Sequence, residues 1–465
     1  MLVQFSVENF LSFDEEQIFS MVATNDDQHP SHVVPKAAKN GESVLRGAAI
    51  YGANAAGKSN LIHALHFAQN FILDGSRSKG TISVRPFKLS GPDSDRPSKF
   101  EFVIRTQGIL YNYGFRLNAK RVLEEWLYAT PKTKEVKYFE RSTSEEGKIK
   151  VEFGSSFKGA AKENDLFLKF VAQSMKPTQL FLSKAVEDNV SQLQPLFDWF
   201  EKVLLILAAE SKPLSLEIMS HRDQEFTSFL TSLLKTVGTG IEEIKTAELD
   251  FDIQRYFPND PDVVSNISEQ VAALPEDSVI QVPGNDGTIF WLAKGKNGQP
   301  TRGIFTLQHR AKNDKPVAFT MAEQSEGTQR LINLAPALFK LKTNSEVVLV
   351  LDELDRRLHT HLSRFFIQAA LECDKEHRQS QLIFTTHDTN LLDLDLLRRD
   401  EIWFVEKDEY GASHVYSLTE FKVRPDLRIE KGYLSGRFGA IPFIGDINSL
   451  LCEDKVPEDV VDIAA

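Results

Sequence analysis

The sequence predicts an α/β fold: a P-loop head with a mixed or parallel sheet core, an antiparallel β-subdomain and a helical insertion. Three observations predict it. Gly52-Ala53-Asn54-Ala55-Ala56-Gly57-Lys58-Ser59 fills every fixed position of the pattern G-x-x-x-x-G-K-[ST], between the apolar run 48–51 and a helical repeat of Leu61, Ile62, Leu65, Ala68 and Ile72. Val347-Val348-Leu349-Val350-Leu351 is apolar throughout, as are strands buried on both faces of a parallel sheet, and Leu382-Ile383-Phe384 is a second such run. Between them, residues 100–105, 111–117 and 122–128 read as short strands, and Thr106-Gln107-Gly108 reads as the hairpin turn joining the first two.

The P-loop residues have separate jobs. Two glycines let the backbone curl until successive N–H groups point at one anion, Lys58 adds a point charge between terminal phosphates, and Ser59 offers a hydroxyl to Mg²⁺. The following helix places its N-terminus behind the phosphates. Gly52, Asn54, Ala55, Ala56, Gly57, Lys58, Ser59 and Asn60 are therefore the expected lining of a nucleoside triphosphate site.

Composition sets the outer bounds. A chain of 465 residues, 42% hydrophobic, suggests two or three globular units of about 150 residues. The net charge of −12 excludes a global positive field drawing the protein onto nucleic acid or anionic lipid, and leaves room for a local basic groove. The small basic groupings Lys132, Lys134 and Lys137, Arg356-Arg357 and Arg398-Arg399 read as solvated surface. Cys373 and Cys452 are too few for a zinc site or a disulfide framework, which suits a reducing cytosol. The opening Met1-Leu2-Val3-Gln4-Phe5 lacks a cationic stretch leading an apolar one, and no run reaches the length of a membrane span, so a cytoplasmic chain without membrane attachment is expected.

Along the chain, Val3, Phe5 and Val7 alternate with polar residues and open a half-buried strand, and residues 24–45 read as loop. Residues 163–240 turn helical, with Phe167, Phe170, Val171 and Ser174 in one segment and Phe226, Phe229, Leu230, Leu233 and Leu234 in another. No heptad persists there, which excludes a long coiled coil. Pro258, Pro261, Pro275, Pro283 and Pro300 mark an irregular connection with short strands near Val279 and Phe290. Leu362, Phe365, Phe366 and Ala369 stripe a helix between the two apolar runs of the last third. The expected division is an N-terminal lobe 1–162, a helical insert and connection 163–300 that either docks a partner or completes the core, a C-terminal lobe 301–450, and an acidic frayed tail 451–465.

The P-loop needs an acidic partner, and the run 347–351 ends in Asp352-Glu353. At the carboxyl end of a parallel strand both stand beside the P-loop, Asp352 on the Mg²⁺ side through its water shell and Glu353 polarising the attacking water. His387, after the next strand, would donate to the γ-phosphate and that water. Ser325-Glu326-Gly327-Thr328-Gln329 opens a helix upstream of the acidic strand and reads as a second anion site made of free N–H groups.

In this order the motifs resemble the ABC class of P-loop ATPases: Walker A at 52–59, a signature at 325–329, Walker B ending in Asp352-Glu353, a D-loop at Leu354-Asp355 and a switch histidine at His387. More closely, the chain resembles the RloA-like family of stand-alone bacterial ATPases, relatives of SMC and OLD-type proteins. The segments that carry this likeness are Phe5-Ser6-Val7-Glu8-Asn9-Phe10, Ile50-Tyr51-Gly52-Ala53-Asn54, Leu351-Asp352-Glu353-Leu354-Asp355, Phe384-Thr385-Thr386-His387-Asp388 and Gly436-Arg437-Phe438-Gly439-Ala440-Ile441-Pro442. Glu326 replaces the glycine of transporter signatures, which points to slow or trigger-dependent turnover. Leu11 stands where relatives often carry an arginine, and the Q-loop is sought near Gln179 and Leu180-Phe181-Leu182-Ser183.

The resemblance implies an ABC-type head that hydrolyses ATP with Mg²⁺ and closes as a head-to-tail homodimer, or a multiple of it. Each ATP would be held by Walker A of one subunit and by Ser325 and Gly327 of the other. It also implies phage defence, with a separate nuclease or toxin as effector. Two alternatives stay open: an ATP-latched scaffold that sequesters a toxin, and an SMC-like clamp on DNA. No nuclease constellation stands out in the chain, and His359 with His361 reads as local to the D-loop.

Overall fold

The computed structural model describes residues 1–36, 42–74, 80–91, 96–158, 162–208, 216, 219–220, 223–275, 279–283, 289–295, 298–344, 346–372, 379–422 and 428–442. Its centre is a six-stranded sheet in the order Leu204–Leu207, Val348–Leu351, Gln381–Thr385, Gly47–Gly52, Ile402–Lys407, Ser413–Ser417. The first five strands are parallel and the last is antiparallel to its neighbour, so the sheet is mixed. Alternation across it feeds two cores. Ala48, Ile50, Val348, Val350 and Ile383 pack into one, while Ala49, Tyr51, Leu349, Leu351, Leu382 and Phe384 pack into the other. Burial on both faces is why these strands read as unbroken apolar runs.

The first core is closed by a seven-stranded antiparallel sheet, ordered Ile149–Phe153, Val136–Thr143, Val122–Thr130, Ile109–Leu117, Ser98–Thr106, Leu2–Glu8, Gln17–Ser20. Its inner face carries Phe5, Phe100, Phe102, Tyr113 and Phe115, which share that core with Leu61, Leu65 and Ala68 of the P-loop helix. Gln107 and Gly108 form the expected turn with φ of 49° and 76°, the paired positive values that a two-residue hairpin of matching twist requires. Gln381 joins the two sheets: its Oε1 accepts from Leu2 N at 2.6 Å and its Nε2 donates to Leu2 O and Leu45 O.

Residues 163–240, expected as a helical insert, are divided between the two cores. Lys162–Gln173, Phe181–Glu187 and Gln224–Thr236 are helices. Leu180, Phe181, Leu182, Trp199 and Phe200 belong to the first core, and Leu204–Leu207 is an edge strand of the central sheet. Four apolar residues directly after a helical stretch give no period of their own, which is why that strand is hidden in the sequence. Helix Gln224–Thr236 packs on the second core, where Phe226 meets Phe339 edge-on at 5.3 Å.

A further lobe follows, built on the long pairing of Ile241–Asp250 with Pro300–Arg310. It has a small core of its own: Ile253, Phe257, Ile267, Val271, Val282 and Leu292. Strands lie where Val279 and Phe290 predict them, but Pro261–Ala273 is a helix rather than irregular chain. Pro261 opens that helix instead of breaking it, because the missing N–H falls where no intrahelical partner exists.

Within 24–45, Val33–Val34 pairs with Val44–Leu45. On helix Thr360–Leu371 the fully buried line is Phe366, Ile367, Ala370 and Leu371, with Leu362, Phe365 and Ala369 half-buried beside it. Arg398 is not solvated surface: it is buried, pairs with Asp400, and donates to Asp26 O, Gln28 O and Thr24 O. Among the described residues no helix is long and apolar enough to cross a membrane. Cys373, Cys452 and the tail 451–465 lie outside the described residues.

Candidate active site

Strand Gly47–Gly52 delivers the P-loop between its two parallel neighbours, and helix Lys58–Leu73 leaves it. No side chain caps that helix, so the amides of its first turn are free for an anion. Asn54 and Ala55 stand exposed at the tip, Ala55 with φ of 61°, while Gly52, Ala56 and Gly57 are buried. Gly52 is tight against the next strand, since a Cβ there would lie 2.4 Å from Val405 O. Gly57 has φ of 119°, and a Cβ on it would meet Ser413 Oγ at 2.3 Å.

Ser413 is one of the residues that sequence reasoning missed. Its hydroxyl donates to Ala56 O at 2.6 Å and lies 2.8 Å from Ser12 Oγ, which in turn accepts from Asn60 Nδ2 at 2.8 Å. Three separate parts of the chain thus brace the underside of the loop. Leu11, beside Ser12, takes φ of 53° and donates its N–H to Arg85 O.

Lys58 Nζ donates to Gly52 O at 2.9 Å and Ala53 O at 3.0 Å, folded back on its own loop. Burial pulls its pKa down to about 8, against the opposing charges of Asp352, Glu353 and Asp355. His387 Nδ1 lies 3.4 Å from the same nitrogen. Burial first, and then the Lys58 charge, lower the His387 pKa, so the ring is neutral at pH 7.

Asp352 and Glu353 arrive from the neighbouring parallel strand. Asp352 is buried, and its Oδ1 accepts from Ser59 Oγ at 3.1 Å and from Thr385 Oγ1 at 2.7 Å. A hard carboxylate oxygen against a hydroxyl, beside free helix amides, is a donor set that fits Mg²⁺ carried on a phosphate group. Glu353 takes φ of 51°, in the left-handed region that costs a non-glycine residue about 1–3 kcal/mol unless its surroundings hold it. Its N–H donates to Thr385 Oγ1 at 2.7 Å and its C=O accepts from Arg330 Nη2 at 3.3 Å. Its carboxylate lies 3.4 Å from Arg356 Nη1. Asp355 accepts from His387 N at 3.3 Å, which ties the D-loop to the histidine.

Ser325 caps helix Glu326–Thr343, its Oγ accepting from Thr328 N at 3.2 Å. Ser325 and Glu326 are exposed, Glu326 lies 3.6 Å from Arg357, and a Cβ on Gly327 would touch Arg357 O at 3.0 Å. Gln329 donates to Gln324 O. These bonds tie residues 325–329 to each other and to the D-loop side of the same chain. Gln179 does not belong to the site: it is buried and its Oε1 closes a local turn by accepting from Lys176 N. Ser183 binds Ile72 O at the far end of the P-loop helix. His359 caps its own helix and stacks on His361, as local residues do.

Residues 48–393 match the family model described as "AAA domain, putative AbiEii toxin, Type IV TA system". The chain belongs to this AAA-domain family. The matched span includes the P-loop, the 325–329 helix start, Asp352-Glu353 and His387. No curated protein matches the sequence. Among solved structures, this AAA-family chain is similar to an SMC head domain from Thermotoga maritima, at 12% identity and TM-score 0.36, over 91% of this chain and 99% of that one. It is also similar to an SMC head bound to the C-winged helix domain of ScpA, at 13% identity and TM-score 0.40, over 90% and 99%.

Proposed function

We propose that this AAA-family protein is an ABC-class ATPase that works as an ATP-dependent dimeric switch controlling a separate effector. The observation that carries the reading is the bond from Ser59 of the P-loop to Asp352 of the neighbouring strand, with Glu353 next in the chain and the Lys58–His387 contact beside it. A triphosphate laid over the free helix amides would draw Lys58 off Gly52 O and Ala53 O and onto its terminal phosphates. Ser59 and Asp352 would hold Mg²⁺, which when bound offsets negative charge on the phosphate oxygens. Glu353 would accept a proton from the attacking water, and neutral His387 would hydrogen-bond the γ-phosphate.

The remaining part of the reading is closure of a dimer. Ser325 and Gly327 are tied to their own helix and to the D-loop side, and Ser325 stands exposed, so their amides are open to a phosphate on a second copy. ATP would then touch both chains and hold them together, and loss of the γ-phosphate would release them. The resemblance to RloA-like ATPases, and a family description that names a toxin of a TA system, favour a nuclease or toxin as effector in phage defence.

The experiment is the mass of the wild type and of Glu353→Gln by light scattering, with and without ATP and Mg²⁺, alongside phosphate release. An ATP-dependent doubling in the variant, with turnover only in the wild type, is expected. A mass that never responds to ATP in either protein would sink the switch.

A further inference from the structure

We infer that Thr385 is a positioning residue whose single hydroxyl sets Asp352 and Glu353 together, so that Mg²⁺-dependent nucleotide binding and turnover need that hydroxyl rather than the side chain's shape. The inference rests on the ATPase reading above and assigns a role to a residue two positions before the switch histidine, to which the motifs give none.

Register places it there. Leu351 pairs with Phe384 and Ile50 pairs with Thr385, so the last residue of the histidine strand sits between the end of the acidic strand and the P-loop strand. Thr385 then makes three consecutive bonds to the neighbouring turn. Its Oγ1 donates to Asp352 Oδ1 at 2.7 Å and accepts from Glu353 N at 2.7 Å, and its C=O accepts from Leu354 N at 3.0 Å. The residue is fully buried, so no water replaces a lost partner without a rearrangement.

Only a hydroxyl performs the first two tasks at once, donating a hydrogen bond to a carboxylate while accepting one from an amide. Each task matters to a different group. The bond to Asp352 fixes which lone pairs of the carboxylate remain for a cation, and it shares Oδ1 with Ser59 of the P-loop. The bond from Glu353 N pins one end of a peptide whose other end is held by Arg330, and so maintains φ of 51° and the direction in which the Glu353 side chain leaves the backbone. Valine has the same shape but would leave the Glu353 N–H unmet and Asp352 with Ser59 alone.

The test compares Thr385→Val and Thr385→Ser in the full chain. ATP binding is measured with EDTA and with Mg²⁺, phosphate release is resolved into kcat and KM, and melting temperature is recorded with and without Mg²⁺-ATP. Thr385→Val should bind ATP in EDTA within about twofold of wild type, lose about tenfold or more of the gain that Mg²⁺ gives, and fall about 10–100-fold in kcat with a smaller change in KM. Thr385→Ser should return all three to within about threefold of wild type, as retention of the hydroxyl requires. A valine variant equal to wild type, or a serine variant as poor as valine, would overturn the inference, because packing would then be the whole role. If Thr385→Val does not fold, Thr385→Cys, similar in size and a weak hydrogen-bonding group, stands in for it with the same expected losses. A wild type that releases no phosphate would end the hydrolysis reading alone, while the Mg²⁺-dependence of ATP binding would still decide the role of Thr385.

Discussion

Lys58 Nζ and His387 Nδ1 lie 3.4 Å apart, so the P-loop cation and the strand-end histidine share one small volume before any nucleotide enters. Burial lowers the pKa of both groups, and the Lys58 charge lowers that of His387 further. The pair is therefore poised to take up protons when a polyanion arrives.

The pH dependence follows with opposite signs for binding and for stability. Lys58 has a pKa of about 8 in the free protein, and a bound phosphate would raise it. ATP affinity should therefore fall as pH rises past 8, and binding at pH 8 should take up protons. Calorimetry in two buffers of different ionisation enthalpy reads that uptake directly. Unfolding restores the ordinary lysine value of 10.5, so between about 8 and 10.5 the unfolded chain binds more protons and Lys58 contributes rising stability with pH. Lys58→Met should remove both trends, and persistence of the proton uptake in that variant would assign it to another group.

Gly57 and Ser413 give a second test. Gly57→Ala meets two obstacles, the 2.3 Å approach to Ser413 Oγ and φ of 119°. The single variant should melt lower and lose ATP binding. Adding Ser413→Ala removes only the closest clash and leaves Ser413 Cβ and Ser12 Oγ each 2.9 Å from the new methyl, so melting should recover in part while binding stays lost. Binding restored by the double variant would show that the positive φ is not what the loop needs. Ser413→Ala alone should cost about 1–3 kcal/mol, since it leaves Ala56 O and Ser12 Oγ each short of a buried partner.

The site was legible in the sequence where chemistry demands fixed residue types in a short window. Gly57, Lys58 and Ser59, Asp352-Glu353 and His387 converge as their order along the chain suggests, because successive parallel strands bring their carboxyl ends to one edge. Ser12, Ser413 and Thr385 were not legible. Each is a small hydroxyl residue acting through a bond to a distant part of the chain, and neither period nor spacing marks such a residue. Leu204–Leu207 was hidden for a different reason, since an edge strand of four apolar residues looks like one turn of the helix before it. Ile241–Asp250 was hidden because several of its positions carry charge, and only Ile241 and Ile244 reach the second core to mark it.

Arg398 tests whether the basic pair at 398–399 is structural. Its guanidinium is 1% exposed, pairs with Asp400 at 2.9 Å, and gathers three carbonyls of the 24–28 segment. Removing one partner leaves Asp400 buried without its cation, a loss of about 3–5 kcal/mol. Arg398→Ala should therefore lower the unfolding free energy read from urea titration by that amount, without a selective effect on ATP affinity in the protein that remains folded. A loss within about 0.5 kcal/mol would return Arg398 to the surface, where substitutions have effects of that size.

Two deletions separate what completes the head from what is appended to it. Removing 163–240 takes Leu180, Phe181, Trp199, Phe200 and Leu204 out of the first core, and takes away Leu207 O, which accepts from Asp352 N at 3.0 Å. That chain should not fold, and no ATP binding should survive. The lobe around 251–300 is different, because its core residues belong to neither main cluster and its two stems are already paired, Asp250 opposite Thr301. Joining those two residues through Asn-Gly supplies the turn that a two-residue hairpin prefers. The shortened chain should keep ATP affinity within about threefold and lose little stability, since closing the shorter loop costs less entropy than closing the native one. Loss of ATP binding there would mean that the lobe holds the helix carrying Ser325 in place, through the 3.2 Å contact of His309 Nε2 with Gln324 Oε1. In that case, His309→Ala in the intact chain should reproduce the defect.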